Sequence, residues 1–119
     1  MKNISILTVI VILLIVGISI AGKRGTSDIP QEQLEVFAQC IASKNLTMYG
    51  ADWCSHCKKE KANFGAAFKF IPYVECPENQ KLCLDKGVNG YPTWIDSSGT
   101  KYPGGQGFER LAEISGCTL

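Results

Sequence analysis

The fold of this chain turns on the stretch Leu46-Thr47-Met48-Tyr49-Gly50-Ala51-Asp52-Trp53-Cys54-Ser55-His56-Cys57-Lys58. Leu46 to Tyr49 is a short β-prone run ended by Gly50. Past Cys54 a helical pattern begins, with Cys57, Phe64 and Phe68 on one face and Lys58, Lys59 and Lys69 off it. A Cys-x-x-Cys pair therefore sits where a strand hands over to a helix. The free backbone N–H groups and the positive end of the macrodipole at that point favour an anion, so Cys54 is expected to be exposed and held as a thiolate. Cys57, one turn on, points inward within bonding reach of Cys54. A positive charge on His56 is expected to lower the Cys54 pKa further. A low thiol pKa makes Cys54 a good leaving group and the pair more oxidising. The competing readings are an inert structural bridge and half of a zinc site, with Cys76 and Cys83 as the second ligand pair. Six residues between those two is loose spacing for zinc, and no metal calls for the preceding Trp53, so a redox pair is preferred, with no metal and no cofactor. Lys58, Lys59 and Lys61 read as a solvated helix face, Lys58 modestly assisting the thiolate.

Outward from this junction the pattern stays regular. Asp28 and Pro30 signal a helix start, Leu34, Phe37, Ala38 and Ile41 recur at 3.6 spacing, and Asn45 is a left-handed stop. Tyr73 to Cys76 reads as a second strand and Glu78 to Lys86 as a short helix before Gly87. Thr93 to Asp96 and Thr100 to Tyr102 flank Ser97-Ser98-Gly99 as a hairpin. Phe108, Leu111 and Ile114 mark a last helix closed by Gly116. The order α-β-α-β-α-β-β-α predicts an α/β fold: a small mixed sheet with helices on both faces. Tyr91-Pro92-Thr93, after Gly87 and Gly90, suits a cis peptide in a tight turn as well as it suits a plain turn proline. If that loop folds against Cys54, Trp53, Tyr91 and Thr93 are the residues expected to meet an extended substrate chain. Trp94, Tyr49, Phe64, Phe68 and Phe108 read as core.

The 119 residues carry a formal net charge of +1, 45% hydrophobic residues and a mean hydropathy of +0.05. One domain fits that length. The absence of a basic block argues against nucleic acid as a partner. Much of the hydropathy sits in Ile4–Ala21, 18 residues without a charge, enough for a helix of ~27 Å against a ~30 Å hydrocarbon core. Ser19-Ile20-Ala21 offers a signal-cleavage site, but the length of the run and Lys23 and Arg24 directly behind it favour an uncleaved anchor. The expected organisation is residues 1–22 as membrane anchor or signal segment, 23–28 as linker and 29–119 as the globular domain. That domain carries nine Lys/Arg against ten Asp/Glu and all six cysteines. The flanking charges do not decide the topology. So dense an even cysteine set in a small domain predicts disulfides, and hence the extracytoplasmic side of the membrane, or secretion if the segment is cleaved.

The residues together resemble the thioredoxin superfamily, and within it the thioredoxin-like domain fused to vitamin K epoxide reductase homologues. The resemblance rests on Met48-Tyr49-Gly50-Ala51-x-Trp53-Cys54-x-His56-Cys57-Lys58, Tyr73-Val74-Glu75-Cys76, Gly90-Tyr91-Pro92-Thr93-Trp94 and Ser115-Gly116, and covers residues 34–117. It implies a thioredoxin-like fold, Cys54 as the attacking cysteine, Cys57 as the resolving one and Pro92 as a cis-proline. It further implies protein thiol and disulfide substrates, and a quinone-coupled membrane reductase as electron partner. One hydrophobic segment stands here in place of that four-helix reductase, so the partner is expected to be another chain. Ser55 replaces the proline usual between the two cysteines, which shifts the potential. Met48 occupies the place, six residues before the first cysteine, where thioredoxins carry a buried acid, and this weakens the reductase direction.

The family has a second cysteine pair near Cys76 and Cys83, implying either a structural clip or a relay at those positions. Thioredoxin-like packing brings together the ends of the first and last helices, where Cys40 and Cys117 lie, implying a structural bridge. In the chain-entropy model the short loop is worth ~2.5 kcal/mol and the long one ~4.5 kcal/mol.

Overall fold

A computed structural model describes Ile6, residues 10–12 and residues 29–119. The expected anchor over 1–22, apart from Ile6 and 10–12, and the linker over 23–28 lie outside the described residues. Among the described residues no helix is long and apolar enough to cross a membrane.

Pro30 opens the first helix, α1 (Gln31–Ser43), from the N-cap position with extended ψ. Leu34, Phe37, Ala38 and Ile41 form its buried stripe, and Asn45 follows with φ of 55°, a conformation asparagine tolerates better than most residues. Strand β1 (Thr47–Gly50) leads through a turn at Ala51–Trp53 into α2 (Ser55–Phe64). The sequence pattern ran one helix on through Phe68. Instead Gly65 takes φ of 55° and restarts the chain as a 3-10 helix, Gly65–Phe70. Only glycine enters that region without a steric penalty, and the break lets Phe64 and Phe68 approach each other across a new axis, at 6.3 Å between ring centroids.

Strand β2 (Tyr73–Glu75), a 3-10 turn (Cys76–Glu78) and α3 (Gln80–Asp85) come next. The hairpin β3 (Thr93–Ile95) and β4 (Lys101–Pro103) and the last helix, α4 (Gly107–Ser115), complete the chain. Gly116 closes α4 in the left-handed region, its N–H bonded to the Ala112 carbonyl at 2.8 Å. The four strands lie in the order β2-β1-β3-β4. β1 runs parallel to β2 and antiparallel to β3, with Met48 opposite both Tyr73 and Trp94.

Alternation along the strands divides the interior in two. Met48 and Trp94 face the larger core, built from Leu34, Phe37, Phe64 and Leu111 of α1, α2 and α4. The next residues, Tyr49 and Ile95, face a smaller cluster with Cys76, Cys83 and Val88. Phe108 meets Phe37 and Phe64 edge-on at 6.0 and 5.1 Å, tying the three long helices together. On the opposite face α3 is six residues long and leaves Leu82 and Leu84 exposed. So short a helix is marginal by itself, and the Cys76–Cys83 bond clips it to the sheet. A four-stranded mixed sheet with helices on both faces is consistent with a thioredoxin-like fold.

Candidate active site

Cys54 is the N-cap of α2. Its backbone is extended (φ −76°, ψ 121°), its N–H donates to the Ala51 carbonyl at 3.1 Å, and its sulfur accepts the Cys57 N–H at 3.5 Å. A cysteine in this place does what serine or aspartate does at other N-caps, satisfying a donor the helix leaves free. Burial works against the Cys54 anion. Hydrogen bonds from the Cys57 thiol and from the backbone N–H groups of Cys57 and His56 outweigh it, and the thiol is held below its ordinary value.

Cys57 is different. It is fully buried among apolar neighbours, and desolvation foremost pushes its pKa up to about 11; the hydrogen bond and charge of Cys54 act the same way, while Lys61 and the Ala51 backbone oppose them. The two thiols, one helical turn apart, are thus driven in opposite directions. Both are unbonded here.

The Tyr91–Pro92 peptide is cis and folds over the pair. The Cys54 thiol donates to the Tyr91 carbonyl at 3.5 Å, a contact the thiolate gives up. Trp53 is 70% exposed and meets the Tyr91 ring edge-on at 5.9 Å, so an aromatic wall stands beside Cys54. Thr93 can meet an extended chain through its backbone only. Its side chain is buried, its hydroxyl donates to the Gly90 carbonyl at 2.8 Å, and its strand pairs with Tyr49 and Pro103. Those bonds shape the loop, and no side-chain surface is left to meet a substrate.

His56 acts through its backbone. Its side chain is exposed, and only its N–H is among the groups that lower the Cys54 pKa. Lys61, read from sequence as part of a solvated face, packs instead over the Tyr73 ring at 3.8 Å and pairs with Asp52 at 3.3 Å.

Sequence reasoning missed Glu60. It is buried, and its Oε1 accepts the Trp94 indole N–H at 3.2 Å and the backbone N–H groups of Gln106 and Gly107 at 2.9 and 3.2 Å. One carboxylate so joins α2, β3 and the entrance of α4, holding the loop after the Pro92 hairpin against the active-site helix. A signal was present: Cys57, Glu60 and Phe64 share one helix face at 3 and 4 spacing, and an acid on a core face needs partners.

The remaining cysteines are paired, Cys40 with Cys117 across 77 positions and Cys76 with Cys83 across 7. A sulfur engaged in a disulfide is no thiolate ligand, so Cys76 and Cys83 in this state cannot complete a zinc site with Cys54 and Cys57. Among the described residues no three His, Cys, Asp or Glu side chains converge on one point.

A four-stranded mixed sheet with two unbonded cysteines at the start of a helix is consistent with a thioredoxin-like fold. The chain is 33% identical to the thiol-disulfide oxidoreductase LTO1 of Arabidopsis thaliana, over 84% of this chain and 31% of that protein. It is 41% identical to protein disulfide isomerase-like 2-2 of Oryza sativa subsp. japonica, over 58% of this chain and 22% of that protein. A protein disulfide-isomerase of Aspergillus oryzae is 34% identical over 61% of this chain and 16% of its own length. The chain spans less than a third of the length of these curated relatives. No family model matches it. Its homologues are thioredoxin-like thiol–disulfide oxidoreductases and isomerases, which with the fold supports a thioredoxin-superfamily domain with a redox role.

Proposed function

We propose that the protein is a membrane-anchored, extracytoplasmic thiol–disulfide oxidoreductase that exchanges disulfides with protein substrates through Cys54 and Cys57, in the oxidising direction. What carries this reading is the placing of two unbonded thiols one helical turn apart: Cys54 at the start of α2, lowered by hydrogen bonds from the Cys57 thiol and the helix N–H groups, and Cys57 raised by burial. A substrate thiolate attacks Cys54 of the Cys54–Cys57 disulfide, and the electron pair of that bond goes to Cys57. A second substrate thiolate then attacks the substrate sulfur of the mixed disulfide and expels Cys54, the better leaving group of the two. Pro92 shapes the loop that presents the Tyr91 carbonyl beside Cys54, and Trp53 and Tyr91 flank the incoming chain.

The apolar run Ile4–Ala21 supports the anchor, and the two disulfides support an oxidising compartment. The likeness of residues 48–58, 73–76 and 90–94 to the domain fused to vitamin K epoxide reductase homologues supports a quinone-coupled membrane reductase of that type as the acceptor that re-oxidises the pair.

The test is the reduction potential of the Cys54–Cys57 couple, measured with the other cysteines intact. A value near about −120 mV fits an oxidase, one near about −180 mV an isomerase, and one near about −270 mV a reductase. Stoichiometric zinc with no exchange activity would replace the whole proposal with a zinc-binding adaptor.

A further inference from the structure

Resting on the exchange reading of Cys54 and Cys57, we infer that Tyr73 and Glu75 form a proton relay between the buried Cys57 thiol and water. Three features carry it, none of which depends on titration.

The first is a shared space. Gly50 ends β1 directly beneath the pair, and a Cβ there would lie 2.8 Å from Cys57 Sγ, 3.2 Å from Tyr73 Cε2 and 3.4 Å from Tyr73 Oη. The missing side chain is what lets the thiol and the phenol border one narrow space, too tight for a methyl group. Alanine at this position would collide with the Cys57 sulfur.

The second is the far side of Tyr73. Its hydroxyl donates to Glu75 Oε2 at 2.5 Å, while Glu75 Oε1 accepts the Asp52 N–H at 2.9 Å. Both carboxylate oxygens are thus oriented, one toward the phenol. Tyr73 and Glu75 are i and i+2 on one strand and so project from the same side. Burial falls off along the line: Cys57 is fully buried, whereas Tyr73 and Glu75 are each half-buried and reach the surface.

The third is the lack of another acceptor. Met48, six residues before Cys54, is fully buried and carries no proton. Glu60, one turn along α2, has its Oε1 taken by three donors, and its Oε2 lies against Gly105. Around Cys57 lie Cys54 at the helix start and the Tyr73 phenol across Gly50, with Lys61 over the Tyr73 ring, Asp52 paired to Lys61 and Glu75 bonded to Tyr73. Lys61 lies over the Tyr73 ring and bonds Asp52, so it steadies the negative charge of this corner without a lone pair to take a proton.

When Cys57 resolves a mixed disulfide on Cys54, its proton passes to Tyr73 Oη as the phenol proton passes to Glu75. Tyr73 stays neutral and Glu75 releases the proton to water. The Cys57 thiolate attacks Cys54 Sγ, the Cys54–Cys57 bond forms, the bond from Cys54 to the partner breaks, and the electron pair leaves on the partner's sulfur. Run backward, the same path protonates Cys57 when a substrate thiolate expels it.

The reduced full-length protein mixed with 5,5′-dithiobis(2-nitrobenzoate) separates the steps. The first thionitrobenzoate released reads attack by Cys54, and the second reads resolution by Cys57. In the wild type the second phase is expected to be flat with pH near neutrality. In Tyr73→Phe and Glu75→Gln it should fall on the order of a hundredfold, as for loss of a general base, and climb about tenfold per pH unit, because hydroxide then removes the proton. Glu75→Asp should recover part of the rate. A Glu75→Gln protein with wild-type second-phase rate and pH profile overturns the relay and leaves the exchange reading standing. A slowed rate that keeps the flat profile overturns it too, since misplacement of Cys57 alone gives that result. Should Tyr73→Phe fail to fold, Glu75→Gln decides alone. A wild-type first phase no faster than a free thiol's would instead sink the exchange reading itself.

Discussion

Two cysteine pairs flank the central strands, and their contrast shows what makes a sulfur reactive. Cys54 and Cys57 are 8% and 0% exposed; Cys76 and Cys83 are 1% and 4%. Burial does not separate them. What separates them is what points at the sulfur. Cys54 caps a ten-residue helix and receives backbone donors, while Cys76 and Cys83 sit among Tyr49, Val88 and Ile95 in an apolar cluster. The first environment stabilises a thiolate and so keeps the bond exchangeable, and the second offers an anion nothing. Cys40–Cys117 joins the first helix to the end of the last, far from any free N–H row, and belongs with the second kind.

The largest effect that would break this contrast lies at Cys54. Cys54→Ala should abolish exchange, whereas Cys57→Ala, given a substrate that already carries a disulfide, should let the Cys54 thiolate attack that bond, expel one substrate thiolate and accumulate the mixed disulfide, visible as a mass shift on a non-reducing gel. Full activity of Cys54→Ala would remove the distinction altogether. Next come the bridges. Replacing Cys40 and Cys117 together by serine should cost about 4.5 kcal/mol of stability, and Cys76 with Cys83 about 2.5 kcal/mol, in the chain-entropy model, as read from denaturant midpoints. In both double variants the folded fraction should keep its exchange rate. A Cys76→Ser, Cys83→Ser protein that folds but no longer passes electrons would show that pair to be a relay.

The smallest effect is one of pH and sharpens the contrast within the active pair. The thiolate is the nucleophile, so a lowered pKa brings reactivity on at lower pH and a raised one delays it. Iodoacetamide should therefore modify Cys54 at a pH below that of free cysteine and Cys57 only as pH approaches about 11. The linked stabilities have opposite signs. The Cys54 contribution is present above the unfolded thiol value and is lost as pH falls through the lowered folded value. The Cys57 contribution is present below the unfolded value and is lost as pH rises toward about 11. Peptide mapping of the alkylated protein across pH measures both onsets.

Much of this architecture could be read along the chain. The strand before Cys54, the helix after it, the hairpin and the stops at Asn45 and Gly116 follow from spacing and from residues suited to left-handed backbone. Where local pattern misled, a tertiary demand intervened. Phe68 keeps the helical phase of Phe64, yet Gly65 turns the axis.

From the sequence by itself came the two-residue spacing of Cys54 and Cys57 and their place at a strand–helix junction, because periodicity and helix capping act over a few neighbouring residues. Only packing decided that Glu60 would anchor the loop ahead of α4, that the Tyr91 carbonyl would lie against Cys54 from 37 positions away, and that Tyr73 would share the space above Gly50 with Cys57. Those contacts depend on the register that sets Met48 beside Tyr73 and Trp94, and register is fixed by which side chains can be buried together across the sheet.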